Sequence, residues 1–174
     1  MIKLAILDID GVMTDGKKTY NLSGDVISKT YCDKDFTAIK RLRASGVSVC
    51  FLSGDNRINE PMAKNRNIDF YYARGKDKAS FVPFFEDQYG CDSSEMLYIG
   101  DDLFDFSILQ RVGYAFCPND APNKLRNFCG VSNTVNRSGG NNVIACLVDI
   151  LLDRNLINDA SMEQIEALDK KEVF

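Results

Sequence analysis

The chain has 174 residues, of which 45% are hydrophobic and 26% charged, with a net charge of −4 and no histidine. That length supplies one sizeable core, and the acidic balance speaks against nucleic-acid partners or adhesion to an anionic membrane surface. Without imidazole there is no His-based triad, no phosphohistidine and no His-ligated zinc or iron centre, so any chemistry falls to carboxylates, lysines, hydroxyls and thiols.

Short apolar runs alternate with amphipathic stretches along the chain, the pattern of a doubly wound parallel α/β sheet with helices on both faces. The first run, 3–7, leads straight into Asp8, Asp10 and a glycine. Residues i and i+2 of a strand face one side, so both carboxylates can converge where the strand ends, which is where ligands bind in such sheets. An aspartate after a strand is often only a turn residue, so the pair alone decides nothing. Asp8 and Asp10 also interrupt the stretch a signal peptide would need to be apolar, and no run approaches the ~20 residues of a membrane span. A cytoplasmic protein with no membrane partner is expected.

Residues 17–31 carry two β-prone segments around Asn21-Leu22-Ser23-Gly24-Asp25, the composition of a hairpin turn. Such an isolated hairpin is marginal alone. Its apolar residues Tyr20, Leu22, Val26, Ile27 and Tyr31 are expected to pack on another subunit. A helix over 34–44 and a strand over 47–52 follow, the strand delivering Ser53 and Gly54. That hydroxyl and the neighbouring N–H groups suit a phosphate oxygen. A helix over 57–66, a strand over 68–72 and a helix over 77–89 come next, with Lys78 at the last helix's opening and Lys76 as a close decoy. The strand at 96–99 ends in Gly100-Asp101-Asp102-Leu103-Phe104-Asp105, whose clustered anions call for a hard divalent cation. Asp102 and Asp105 could instead serve a helix's first turn. A helix over 103–111, a strand over 113–116 and a helix over 141–153 complete a single domain spanning 1–154, and the tail 155–174 is expected to be partly helical or mobile, with Ser161 as a cap. The six cysteines form no CxxC pair, and Cys50 and Cys146 sit in apolar runs, so free thiols are expected.

In order, DxDGVxTDG, a strand ending in Ser-Gly, a helix-opening Lys and GDDxxD resemble the four motifs of the haloacid dehalogenase (HAD) superfamily of phosphotransferases, from residue 2 to about 118. Within it, DIDGVMTDGKKTYNLSGDVISKTYCDKDFTAIKRL and LYIGDDLFDFSILQRVGYAFCPNDA resemble the small phosphatases of KDO 8-phosphate and of nine-carbon sialic-type acids such as KDN 9-phosphate. The resemblance implies a HAD-like Rossmannoid fold without a cap domain, Mg2+ as cofactor, a phosphorylated sugar acid as substrate and a homotetramer. Carried over, Asp8 is the nucleophile and Asp10 the general acid and base. Ser53, Gly54 and Lys78 hold the phosphoryl group. Asp8, the Asp10 carbonyl and Asp101 ligate the metal, with Asp102 acting through water.

Asp10 and Ser53 are 43 positions apart and Ser53 and Lys78 are 25 apart, intervals that the expected elements already fill, leaving no room for a cap. Three places depart from the family pattern: Asp55 follows Ser53-Gly54 where Arg or Glu is frequent, Phe36 stands where glycine is common, and SGGNNV, with Asn141, lacks the usual Arg. Asp55 is nearer the nine-carbon variety. A HAD phosphatase for another small phosphometabolite and a non-catalytic HAD-like assembly module are the rival readings, and the intact Asp8, Asp10, Lys78 and Asp101 weigh against the second.

Overall fold

The computed structural model describes residues 1–171. Strand β1 (Leu4–Leu7) is followed by a separate antiparallel hairpin of β2 (Thr19–Tyr20) and β3 (Val26–Ser28). Then come α1 (Asp33–Ala44), β4 (Ser48–Ser53), α2 (Asn59–Asn65), β5 (Asp69–Tyr72) and α3 (Val82–Tyr89). The rest of the chain forms β6 (Met96–Ile99), α4 (Phe106–Leu109), β7 (Tyr114–Pro118), α5 (Asn123–Cys129), β8 (Thr134–Val135), α6 (Val143–Asp153) and α7 (Met162–Asp169). Six strands make one parallel sheet in the order β5-β4-β1-β6-β7-β8, so β1 is central and flanked by β4 and β6. It is the doubly wound HAD-like architecture, and no cap domain is inserted among the described residues.

All four residues of β1 are buried, and their alternation sorts them into two cores. Ala5 and Leu7 join α1 and α6 residues such as Phe36, Ile39, Ile144 and Leu147 on one face. Leu4 and Ile6 join Val82, Phe85, Ile108 and Leu125 on the other. Covering a strand on both faces is what makes it read as a continuous apolar run.

Two expected helices begin differently from their pattern. The 77–89 stretch starts as a 3-10 turn, Lys78–Phe81, before α3, and the 103–111 stretch starts as another, Leu103–Asp105, before α4. In both, an aspartate side chain caps the turn, Asp77 for the N–H of Ala79 and Asp102 for that of Leu103, and the tighter winding brings Lys78 and Asp105 towards the sheet end. Helix α5 and strand β8 were not expected. Both are short, and β8 has only two residues, too few to show a period.

The hairpin turn is tied by Asn21, whose Oδ1 accepts from the N–H groups of Ser23 and Asp25 at 3.0 and 2.9 Å. Leu22, Tyr20 and Ile27 stand exposed on it. Tyr31 does not join them. Its ring packs 5.9 Å from that of Phe36, facing the domain. Phe36, in the family's glycine position, is buried there and also carries the Arg66 guanidinium 4.0 Å above its ring. In the tail, Ser161 and Gln164 form a reciprocal capping box for α7, which returns to α1 through a Lys40–Asp169 pair. All six cysteines are free thiols, and no helix among the described residues is long and apolar enough to cross a membrane.

Candidate active site

The site forms where β1, β4 and β6 end. At the end of β1, the Asp8 N–H is held by the Ile99 carbonyl at 3.0 Å. One Asp8 carboxylate oxygen accepts from the N–H of Ile9 at 2.8 Å and the other lies 3.1 Å from Lys78 Nζ. The chain then wraps the Ile9 carbonyl, which accepts from the N–H groups of Val12, Met13 and Thr14 at 2.9–3.2 Å. Gly11 in this turn has φ +87°, and a Cβ there would lie 1.9 Å from Asp101 Oδ2. The glycine of the DxDG motif is therefore what lets Asp101 approach the loop after β1.

Asp101 follows β6 and turns inward, its Oδ1 buried with no hydrogen-bond partner. Burial and the neighbouring Asp8 and Asp105 push its carboxyl up to about 8. Asp8 is pushed up to about 7 by burial, with Lys78 pulling it down and Asp105 adding to the rise. Asp105 is fully buried, and its Oδ1 accepts from Lys78 Nζ and from Tyr98 OH, both at 2.6 Å. Its Oδ2 accepts from the Asp102 N–H at 2.9 Å. Burial opposes the charge on Lys78, but Asp8 and Asp105 outweigh it and hold the ammonium firmly protonated. The decoy Lys76 lies instead 5.5 Å over the Phe81 ring.

Carboxylate oxygens of Asp8, Asp101 and Asp105 come within 4.8 Å of one another. An all-oxygen set, two of its carboxyls driven upward by burial and neighbouring carboxylates and one oxygen left unpartnered in the interior, fits a hard divalent cation. Asp105 already accepts from Lys78, Tyr98 and the Asp102 N–H, so more of the free ligating capacity lies with Asp101 and Asp8. Asp102 is exposed, and its carboxylate serves the turn. The sequence pointed to Asp102 beside Asp101, whereas the 3-10 turn brings in Asp105.

A second group of charges borders the first. Ser53 ends β4, buried, and its Oγ accepts from Asn59 Nδ2 at 3.0 Å and from the Asp55 N–H at 3.3 Å. Gly54 follows with open space around it. Asp10 lies against Lys29, whose Nζ is 2.7 and 2.9 Å from its two oxygens, and Lys18 stands 3.6 Å away. Asp55 is gripped by Arg57 at 2.9 Å, Lys18 at 2.8 Å and Lys29 at 3.2 Å. Arg57 above all, with Lys18 and Lys29, holds the Asp55 carboxyl far below the usual range despite its burial. Sequence reasoning missed Lys18, Lys29, Arg57 and Asn59. The two lysines flank the hairpin, one before β2 and one after β3, and nothing in a solvated-looking KK or SKT marks them as inward.

Beside the site, Gly139 and Gly140 of the SGGNN segment press on the loop after β1. A Cβ on Gly139 would lie 2.2 Å from the Gly11 carbonyl oxygen, and the Gly140 N–H donates to the Val12 carbonyl at 2.9 Å. Asp120 fixes the segment from the β7 side, accepting from the Gly139 N–H at 3.1 Å.

This sheet, with carboxylates and a buried lysine gathered at its central strand ends, is that of a haloacid dehalogenase-like hydrolase, and the family model of that description matches residues 62–140. The chain is 30% identical over 152 residues to 3-deoxy-D-manno-octulosonate 8-phosphate phosphatase KdsC of Haemophilus influenzae, covering 87% of this chain and 83% of that enzyme. The structure of a cobalt-bound deoxy-D-mannose-octulosonate 8-phosphate phosphatase from the same organism superposes with a TM-score of 0.80 at 29% identity, covering 88% of this chain and 90% of that one. The Moraxella catarrhalis 3-deoxy-D-manno-octulosonate 8-phosphate phosphatase, solved with magnesium, phosphate and KDO, superposes with a TM-score of 0.79 at 25% identity, covering 88% of each chain. The chain belongs to the KdsC-like phosphatases of the HAD-like hydrolases, and it is a phosphoric monoester hydrolase.

Proposed function

We propose that the chain is a cytoplasmic, magnesium-dependent phosphatase that removes the terminal phosphate of a phosphorylated 2-keto sugar acid through an aspartyl-phosphate on Asp8. The observation that carries this reading is the Asp8 carboxylate at the end of the central strand, within 4.8 Å of an Asp101 carboxylate oxygen and 3.1 Å from the ammonium of Lys78. Asp8 and Asp101, with the Asp10 carbonyl, would hold the metal. When bound, it supplies positive charge that lets an anionic nucleophile meet an anionic substrate.

The chain's own groups supply the rest. Lys78 and Ser53 hold the phosphoryl oxygens. An Asp8 oxygen bonds to phosphorus as the bond to the sugar oxygen breaks, and Asp10 gives that oxygen its proton. Asp10 then takes a proton from water, whose oxygen bonds to phosphorus and releases inorganic phosphate and free Asp8. Lys18 and Arg57 stand at the partly exposed rim, where cations suit the substrate's remote carboxylate. KDO 8-phosphate is the substrate named for the relatives. Asp55, which resembles the nine-carbon variety, is engaged by three cations and so sets the charge of this rim. The hairpin's exposed Tyr20, Leu22 and Ile27 fit a homotetramer in which these residues meet a neighbouring subunit.

A phosphate-release panel tests the reading. It comprises KDO 8-phosphate, a nine-carbon acid 9-phosphate, hexose phosphates and nucleotides, each with magnesium and with excess chelator. The sugar-acid phosphates should show the highest kcat/KM, only with magnesium. A higher value for a nucleotide or simple hexose phosphate overturns the substrate class, and undiminished activity in chelator overturns the metal.

A further inference from the structure

Asn59 opens α2 with its side chain wholly buried, and every hydrogen-bonding position of its amide is used. Oδ1 accepts from Lys29 Nζ at 2.9 Å and from Tyr31 OH at 2.8 Å. Nδ2 donates to Ser53 Oγ at 3.0 Å and to Asp10 Oδ2 at 3.3 Å. Two protons and two lone pairs are all such a group has, and the partners fix which way it faces. Turned over, the amide would set its oxygen against the Asp10 carboxylate and its protons against the Lys29 ammonium. Burial raises the Tyr31 pKa, with Asp10 and Asp55 adding to the rise, so its hydroxyl stays a donor. The amide therefore bridges a group after β1 to a group at the end of β4, while two residues following β3 lock it from behind.

We propose that Asn59 is the positioning residue that sets the Asp10 carboxylate relative to the Ser53 hydroxyl for proton transfer to the leaving oxygen. The inference rests on the phosphatase reading above. Ser53 helps place the phosphorus, and Asp10 must reach the oxygen leaving it, so the separation of the two decides whether the proton arrives. A misplacement of about 1 Å in such an arrangement costs on the order of 10²-fold in rate. Lys29 touches both Asp10 oxygens, yet an ammonium is a point charge on a flexible stem and imposes little direction. The planar amide, held at four points, supplies it. Through Lys29 and Tyr31 the seating of the hairpin is thereby reported to the acid and base.

A residue that only supports the fold would slow all substrates alike, whereas one that aims Asp10 matters most when the leaving group needs a proton. The test compares the full chain with Asn59→Asp and Tyr31→Phe, in magnesium, on p-nitrophenyl phosphate and on KDO 8-phosphate. Asn59→Asp keeps the volume and the acceptor side but removes both donors. It should lower kcat for the alkyl phosphate about tenfold more than for the aryl one, with KM for the aryl substrate nearly unchanged. Tyr31→Phe loosens the lock and should shift the same ratio in the same direction by a smaller factor, which keeps the test alive if Asn59→Asp fails to fold. Equal losses on both substrates, or a change confined to KM, overturn the inference. A wild-type chain that hydrolyses neither overturns the phosphatase reading itself and the inference with it.

Discussion

The two halves of the site are built from different material. One half, Asp8, Asp101, Asp105 and Lys78, hangs on strand ends fixed by the parallel ladder and on two 3-10 turns beside the sheet. The other half, Asp10, Ser53, Asp55 and Asn59, is held mostly by side chains, Lys18, Lys29 and Tyr31 from the base of the hairpin and Arg57 from the loop after β4. In the first, anions outnumber cations and the surplus suits a metal. In the second, Lys18, Lys29 and Arg57 outnumber Asp10 and Asp55, and the surplus suits an anionic substrate. Under the proposed function, the first half would carry the nucleophile and metal, and the second the acid, base and substrate contacts.

Substitutions should separate the halves, and the largest effect belongs to the first. Asp8→Asn cannot form the acyl-phosphate, and steady-state phosphate release should drop by at least about 10⁴-fold with the circular-dichroism melt intact. Near-normal turnover would place the nucleophile elsewhere. Asp10→Asn should cost about 10²–10⁴-fold while the magnesium concentration for half-maximal rate stays put. A large shift in that concentration would erase the boundary between the halves.

The pH response sharpens the same contrast. Without metal, Asp8 and Asp101 have carboxyls raised to about 7 and about 8, so the folded chain binds their protons more tightly than the unfolded chain does. The stability this contributes is full below the ordinary carboxylate pKa and is lost as pH rises through those values. The metal-free melting temperature should therefore fall from pH 5 to pH 8, by on the order of 5 °C, and saturating magnesium should restore more at pH 8 than at pH 5. Calorimetry at fixed ionic strength checks it, and a metal-free melting temperature that rises over that interval contradicts it. The smallest effect should come from the rim. Lys18→Ala should raise KM for the sugar-acid phosphate by about tenfold, on the order of 1.4 kcal/mol, and barely alter KM for p-nitrophenyl phosphate. Equal changes on both would remove Lys18 from carboxylate recognition.

What could be read from the sequence follows the same division. Asp8, Asp101 and Lys78 were legible because four motifs, each weak alone, stand in the order and at the intervals that resemble the HAD superfamily. The inward turn of Asp105 was not, since it depends on a 3-10 turn where the pattern suggested a helix and Asp102 looked equally placed. Lys29 and Asn59 were out of reach for another reason. Each takes its meaning from a partner 19 to 49 positions away, and no local period encodes such a meeting. Tyr31 misled because an aromatic beside a hairpin looks like contact surface until Phe36 and Asn59 show where it goes.

The pressure of Gly139 and Gly140 on the loop at Gly11 has a consequence for how the protein comes into being. All the charged groups of the site lie between Asp8 and Asp105 and leave the ribosome first, but the glycines that back the loop after β1 arrive some thirty residues later. A growing chain thus carries a full set of reactive side chains before it has a working centre. The segment that backs the loop at Gly11 is made well after the carboxylates and lysines that the loop brings together.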